Sequence, residues 1–347
     1  MKTAVFAKAG QMKLVDVDKP TIQQPDDAIL RVVRTCVCGS DLWNYRGINP
    51  VKPGQINSGH EAIAVVEEVG DAITTVKPGD FVIAPFTHGC GHCAACLAGY
   101  DGTCQSHQDN FSEGVQAEYI RFQHAQWALV KIPGKPSDYS EGMLKSLLSL
   151  ADVMATGYHA ARVANVQAGD TVVVMGDGAV GLSAIISAKL RGAKQIISTS
   201  RHADRQQLAK EFGATDNVAA RGDEAVKAIM DLTHGQGADA VLECVGTEQS
   251  TETAMAVGRP GSIVGRVGLP HGKNMDPAAT FYANKAVAGG PASVTTYDKD
   301  LLLKAVLDGK INPGKIFTKT FTLDQIDEAY QAMDQRQAIK SYVKVSD

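Results

Sequence analysis

The sequence predicts a mixed α/β plus β protein: a small all-β unit followed by a doubly wound parallel sheet. Three observations carry that expectation. Up to about residue 150 the chain reads as short β-branched runs separated by turns. From about residue 153, buried strands alternate with helices. Between the first of these strands and the first long helix lies Gly176-Asp-Gly178-Ala-Val-Gly181, a glycine pattern suited to a strand-to-helix turn.

Residues 28–34, 62–69 and 80–84 carry the β-branched and aliphatic side chains of strands, and Pro78-Gly79 and Pro133-Gly134 mark turns between strands. Residues 170–175 read as a buried strand and 179–191 as a helix closed by Gly192. Residues 195–200 are then a strand, 204–212 a helix ending at Gly213, and 239–245 and 262–267 further strands. Roughly residues 292–347 hold a helical piece at 323–333 and a strand-like 341–345, a tail expected to return to the first unit.

A chain of 347 residues is expected to make two domains. Its 44% hydrophobic and 21% charged residues are ordinary for a soluble globular enzyme. The net charge of -4 argues against a general nucleic-acid binder, and no apolar run is long enough to span a membrane. The first residues read as a strand rather than a targeting segment. Seven cysteines without an export signal fit a cytoplasmic metalloprotein better than a disulfide scaffold.

Four of these cysteines, Cys90, Cys93, Cys96 and Cys104, are spaced C-x2-C-x2-C-x7-C. Soft thiolates this close can close a tetrahedron around one structural zinc ion. Two disulfides would suit a short secreted domain, a redox pair would leave two cysteines idle, and an iron–sulfur cluster is the nearest rival. Cys36 and Cys244 read as buried cysteines within strands, and His88, His92, His107 and His124 as surface or loop residues rather than ligands.

In the glycine turn, Gly176 permits the tight bend, Gly178 lets the backbone approach a pyrophosphate, and Gly181 lets the helix pack on the sheet. The helix N-terminus then offers its free N–H groups to the phosphates. Asp177 would repel a pyrophosphate, so its side chain is expected to point away. The second strand ends in Ser198-Thr-Ser200-Arg201, without the acidic residue that binds the ribose 2′-hydroxyl of NAD. Arg201 can pair with a 2′-phosphate and Ser200 can donate to it, so NADP(H) is expected over NAD(H).

Three more ligand types stand at separate places: Cys38 in Cys-Gly-Ser-Asp41, His60 in Gly59-His-Glu61, and Asp152 just before the α/β portion. With the cysteine lobe and the glycine turn in this order, the chain resembles the zinc-dependent medium-chain alcohol dehydrogenase family over essentially its full length. The resemblance implies a GroES-like β-barrel catalytic domain at 1–152 and 292–347, with its structural-zinc lobe at 88–106, and a Rossmann domain at 153–291. It implies two zinc ions per chain. Cys38, His60 and Asp152 would hold the catalytic one, with Asp152 where many members have a second cysteine. Glu61 would approach the metal in some states, and Asp41 would orient His60. Ser40 would bond the substrate oxygen and pass on its proton. Thr156 would lie near the nicotinamide and Lys340 near the pyrophosphate, with Val180 joining the glycines of the cofactor turn.

A site of this kind fits a small alcohol, aldehyde or ketone, because zinc with three protein ligands keeps one open position and lowers the pKa of a bound alcohol. Trp43 departs from the family pattern: it stands where many members carry a histidine that ends a proton relay, and indole cannot shuttle protons. Phe86, Phe111 and Leu269 are candidate pocket walls. A homodimer or homotetramer is expected from the resemblance. The alternatives are an NAD-dependent polyol or amino-alcohol dehydrogenase, a zinc-independent quinone or enoyl reductase, which the intact ligand set disfavours, and a non-catalytic NADPH-binding sensor.

Overall fold

The β-branched runs of the first half become strands, and the long return of the chain completes their sheet. In the computed structural model, residues 1–106, 111–271, 277–291 and 296–347 are described. His107, expected to be a surface or loop residue, lies outside them. The chain divides into two units, Met1–Asp152 with Ser293–Asp347, and Val153–Ala292.

In the first unit a seven-stranded sheet runs in the order Phe317–Thr322, Lys340–Lys344, Ala28–Val37, Ala62–Val69, Phe81–Ala84, Val130–Ile132, with Tyr119–Phe122 also paired to Ala28–Val37. The tail strand Lys340–Lys344 lies antiparallel to Ala28–Val37, with Tyr342 opposite Cys36. A second, two-stranded sheet pairs Lys2–Lys8 with Gln11–Asp16. Apolar side chains of the central strands, such as Leu30, Val32, Ala64, Val66 and Val82, form one core cluster. Residues Glu141–Ser149 form a helix inside the stretch read as strands. Ser140 caps it, its hydroxyl accepting the Met143 N–H at 3.2 Å, which is a local signal that the β-rich surroundings obscured.

The second unit is a six-stranded, wholly parallel sheet in the order Asp216–Val218, Gln195–Thr199, Thr171–Met175, Ala238–Glu243, Gly258–Arg266, Ala286–Gly289. Numbered along the chain this is 3-2-1-4-5-6, so the strand order reverses between Thr171–Met175 and Ala238–Glu243. Ligands of doubly wound sheets bind outside the carboxyl ends of the strands at such a reversal. The strands are valine- and isoleucine-rich without alternation because both faces are covered. Among the described residues no helix is long and apolar enough to cross a membrane.

Candidate active site and metal centres

Cys38, His60 and Asp152 come from three separate turns of the first unit. Cys38 follows Ala28–Val37, and its N–H donates to Asp41 Oδ2 at 2.8 Å. His60 precedes Ala62–Val69, and the neighbouring Glu61 carbonyl accepts the Thr35 hydroxyl at 2.7 Å. Asp152 is fixed through the adjacent Ala151, whose carbonyl accepts the Phe86 N–H at 2.9 Å. The ligand atoms of Cys38, His60, Glu61 and Asp152 all lie within 4.8 Å of one another.

The spacings fit a metal. Asp152 Oδ2 is 3.4 Å from His60 Nε2 and 3.7 Å from Cys38 Sγ. A tetrahedral zinc with ordinary bond lengths needs edges of about 3.4 Å for N to O and about 3.6 Å for S to O. His60 Nδ1 faces Asp41 Oδ1 at 3.3 Å, which leaves Nε2 as the ligand atom. Burial opposes a charged imidazole, but Asp41 and Asp152 outweigh it and push the His60 pKa up. Carboxylates gathered around one half-buried imidazole call for a cation, and a thiol, an imidazole and a carboxylate suit zinc.

Glu61 is brought to the same cluster, with Oε1 3.8 Å from His60 Nε2. That oxygen also accepts Lys340 Nζ at 2.6 Å, and the ammonium donates again to the Val37 carbonyl at 3.3 Å. The Lys340 side chain is 1% exposed and paired with Glu61, so in this structure it is a buried partner of this cluster.

Ser40 is exposed at the start of the short helix Asp41–Tyr45, and the half-buried Trp43 lies on that helix. Two of the expected pocket walls come together: the Phe86 ring lies 5.9 Å from that of His60 and 6.2 Å from that of Phe111. Leu269 belongs to the second unit and is exposed.

The four cysteines of the lobe converge as well. Cys93 and Cys104 sulfurs are 3.9 Å apart and those of Cys90 and Cys96 4.0 Å, close to the edge of about 3.8 Å of a zinc–thiolate tetrahedron. No pair is at disulfide distance, and none of the seven cysteines forms a disulfide. The backbone N–H groups of Cys96 and Gln105 hold the Cys93 thiol down to about 5. Of the other residues read as non-ligands, Cys36 is buried in its strand and Cys244 half-buried just past Ala238–Glu243. His124 meets Asp26 at 2.7 Å and His92 bonds the Cys90 carbonyl. His88 corrects the surface reading: it is 2% exposed, with its ring 5.3 Å from that of Phe122.

In the second unit the glycine turn follows Thr171–Met175 at the strand reversal. Gly176 has φ +111°, and a Cβ at Gly181 would lie 2.1 Å from the Gly176 carbonyl oxygen, so both must be glycine. A Cβ at Gly178 would meet nothing within 4 Å, so the turn faces open space. Gly178 starts the helix Ala179–Leu190, which also contains Val180 and has no side-chain cap. Open space before uncapped N–H groups fits a dinucleotide pyrophosphate. Arg201 is exposed, and Thr156 is buried in the helix Val153–Val163.

Asp177 does turn aside, toward the end of the strand Gln195–Thr199, where Ser200 donates to its Oδ2 at 2.6 Å. Arg205, four residues past Arg201 on the helix Ala203–Phe212, reaches Oδ1 at 3.0 Å. Arg205 was not singled out from the sequence. An arginine in a polar helix carries no signal of its own, and only the fold brings it to the glycine turn.

Comparisons with known proteins agree with this geometry. Residues 24–134 match the Alcohol dehydrogenase GroES-like domain and residues 179–300 the Zinc-binding dehydrogenase family. An alcohol dehydrogenase of Cupriavidus necator is 31% identical, the match covering 95% of this chain and 94% of the relative. The chain belongs to the zinc-dependent medium-chain alcohol dehydrogenase family. An NADP-dependent isopropanol dehydrogenase of Clostridium beijerinckii is 31% identical over 94% of this chain and 95% of its own. Among solved structures, the alcohol dehydrogenase TADH from Thermus sp. ATN1 superposes with a TM-score of 0.88 at 30% identity, covering 99% of this chain and all of that one. Membership makes the protein an oxidoreductase of the zinc alcohol dehydrogenase type, with a GroES-like and a Rossmann domain.

Proposed function

We propose that the protein interconverts small alcohols with aldehydes or ketones, using NADP(H) in preference to NAD(H) and two zinc ions per chain. The observation that carries this reading is the three-ligand set Cys38, His60 and Asp152 at tetrahedral edge lengths, backed by Asp41. The preference for NADP(H) is supported by Ser200 and Arg201 at the end of their strand with no acidic residue in that segment. The NADP dependence named for the Clostridium beijerinckii relative points the same way.

Cys38, His60 and Asp152 would hold the catalytic zinc, and Cys90, Cys93, Cys96 and Cys104 the structural one. The chemistry supplied from outside the chain is Lewis-acid polarisation of the substrate oxygen by zinc and hydride exchange with the nicotinamide. The chain's own residues do the rest. Asp41 holds the His60 proton on Nδ1. Lys340 holds Glu61 within reach of the ligand atoms through its 2.6 Å hydrogen bond. Ser40 Oγ takes the hydroxyl proton of an alcohol during oxidation and returns it during reduction. Trp43 cannot pass that proton on, so the exposed serine delivers it to water. Phe86 and Phe111 supply an apolar wall suited to a short carbon chain.

One observation favours NAD(H): the Asp177 carboxylate lies against Ser200, where it could accept a ribose hydroxyl. Initial rates with NADPH and NADH over a panel of small aldehydes and ketones, with and without a metal chelator, test the proposal. Chelator-sensitive, NADPH-dependent turnover is expected. Faster turnover with NADH would overturn the cofactor preference, and chelator-resistant turnover the role of zinc.

A further inference from the structure

We propose that Arg205 is a specificity-determining residue that allows a 2′-phosphate to bind by neutralising Asp177. The inference rests on the NADP(H) reading and names a residue that this reading did not contain.

Asp177 is the middle residue of the first Gly-x-Gly of the turn, yet its carboxylate is not loose in solvent. Oδ2 accepts the Ser200 hydroxyl at 2.6 Å, and Oδ1 accepts Arg205 Nη1 at 3.0 Å. The same Nη1 also reaches the Asp177 carbonyl at 3.4 Å. The two side chains are only 22% and 14% exposed, so solvent screens them incompletely.

Ser200 is the residue expected to donate to a 2′-phosphate, and in this structure it donates to a carboxylate. A lone carboxylate there would favour a ribose hydroxyl and repel a phosphate. Arg205 changes the balance. Asp177 and Arg201 alone sum to zero charge around Ser200; with Arg205 the sum is positive. Arg205 also restrains Asp177, so that the exposed Arg201 can turn to the incoming anion. An arginine suits this task because its charge is permanent and its Nη1 meets both Oδ1 and the backbone carbonyl of Asp177.

The test is equilibrium binding of NADPH and of NADH to the zinc-loaded protein, followed by the fluorescence of the reduced nicotinamide, with no substrate present. Wild type is compared with Arg205→Gln, Asp177→Asn and the double variant. Arg205→Gln should weaken NADPH at least tenfold and NADH less than threefold. Adding Asp177→Asn should restore NADPH to within about threefold of wild type, because no carboxylate then needs neutralising. Equal weakening of both cofactors by Arg205→Gln would mean that Arg205 only braces the turn, and would overturn the inference. So would failure of Asp177→Asn to rescue, which would place Arg205 on the phosphate itself. Tighter binding of NADH than NADPH by wild type would defeat the cofactor reading instead. The rescue, measured as NADPH affinity across the variants, would still decide the role of Arg205.

Discussion

His60 and Asp41 form the contact that prepares the metal cluster: Nδ1 of the imidazole lies 3.3 Å from Oδ1 of the carboxylate. The other oxygen of Asp41 holds the N–H of Cys38 at 2.8 Å, so one side chain positions two ligands. Replacing Asp41 with Asn keeps the shape but removes the charge and one acceptor. Zinc affinity should fall by about 10–100-fold, as for other partners of metal-bound histidines. Competition with a chelator, read as zinc retained per chain, measures this. Unchanged retention would mean that Asp41 does not orient His60.

Lys340 and Glu61 form an ion pair in which both side chains are 1% exposed. Replacing Lys340 with Met leaves a buried carboxylate without its cation, at a cost of about 3–5 kcal/mol. Adding Glu61→Gln should recover most of the loss. Denaturant unfolding of the single and double variants checks this, and additive losses would show that the pair is not coupled.

Arg201 is exposed at the end of the strand Gln195–Thr199 and free to turn toward an anion. Arg201→Asp should weaken NADPH by tenfold or more and NADH much less, by the same binding titration. Equal effects would place 2′-phosphate recognition elsewhere.

Two groups contribute to the acid limb of stability in separate pH windows. Burial lowers the His159 pKa from 6.5 to about 4, with Arg162 adding to the effect. The unfolded chain therefore takes up this proton first, and stability falls as pH drops from about 6.5 toward 4. Glu141 acts at lower pH. Burial would raise its carboxyl, but Arg34, Lys344 and Tyr342 outweigh burial and bring it to about 2. Its contribution is complete above about 4.5 and is lost as pH falls toward 2. Thermal melts from pH 7.5 to 4.5 should show the first loss, reduced in His159→Gln. An unchanged pH slope in that variant would mean that His159 does not contribute to the acid sensitivity.

Much of this was legible in the sequence because the signals are local. The cysteine lobe sits within fifteen residues and needs no fold to be read. The glycine turn carries its own steric reason, confirmed by the 2.1 Å approach at Gly181. What stayed hidden depends on contacts between distant parts of the chain. Lys340 meets Glu61 across 279 residues because the tail strand returns beside Ala28–Val37, and nothing near Lys340 announces a buried partner. Arg205 meets Asp177 only because a helix starts beside the glycine turn. His88 does lie in a loop, yet it is buried against Phe122, which its neighbours in sequence do not announce.

Cys38, His60 and Asp152 are proposed to hold a zinc ion separate from that of the cysteine lobe. The most direct test is zinc per chain by plasma mass spectrometry, in wild type and in Cys38→Ser. Two zinc ions are expected in wild type and one in the variant, with the fold retained by circular dichroism. One zinc ion in both, or two in both, would contradict the claim.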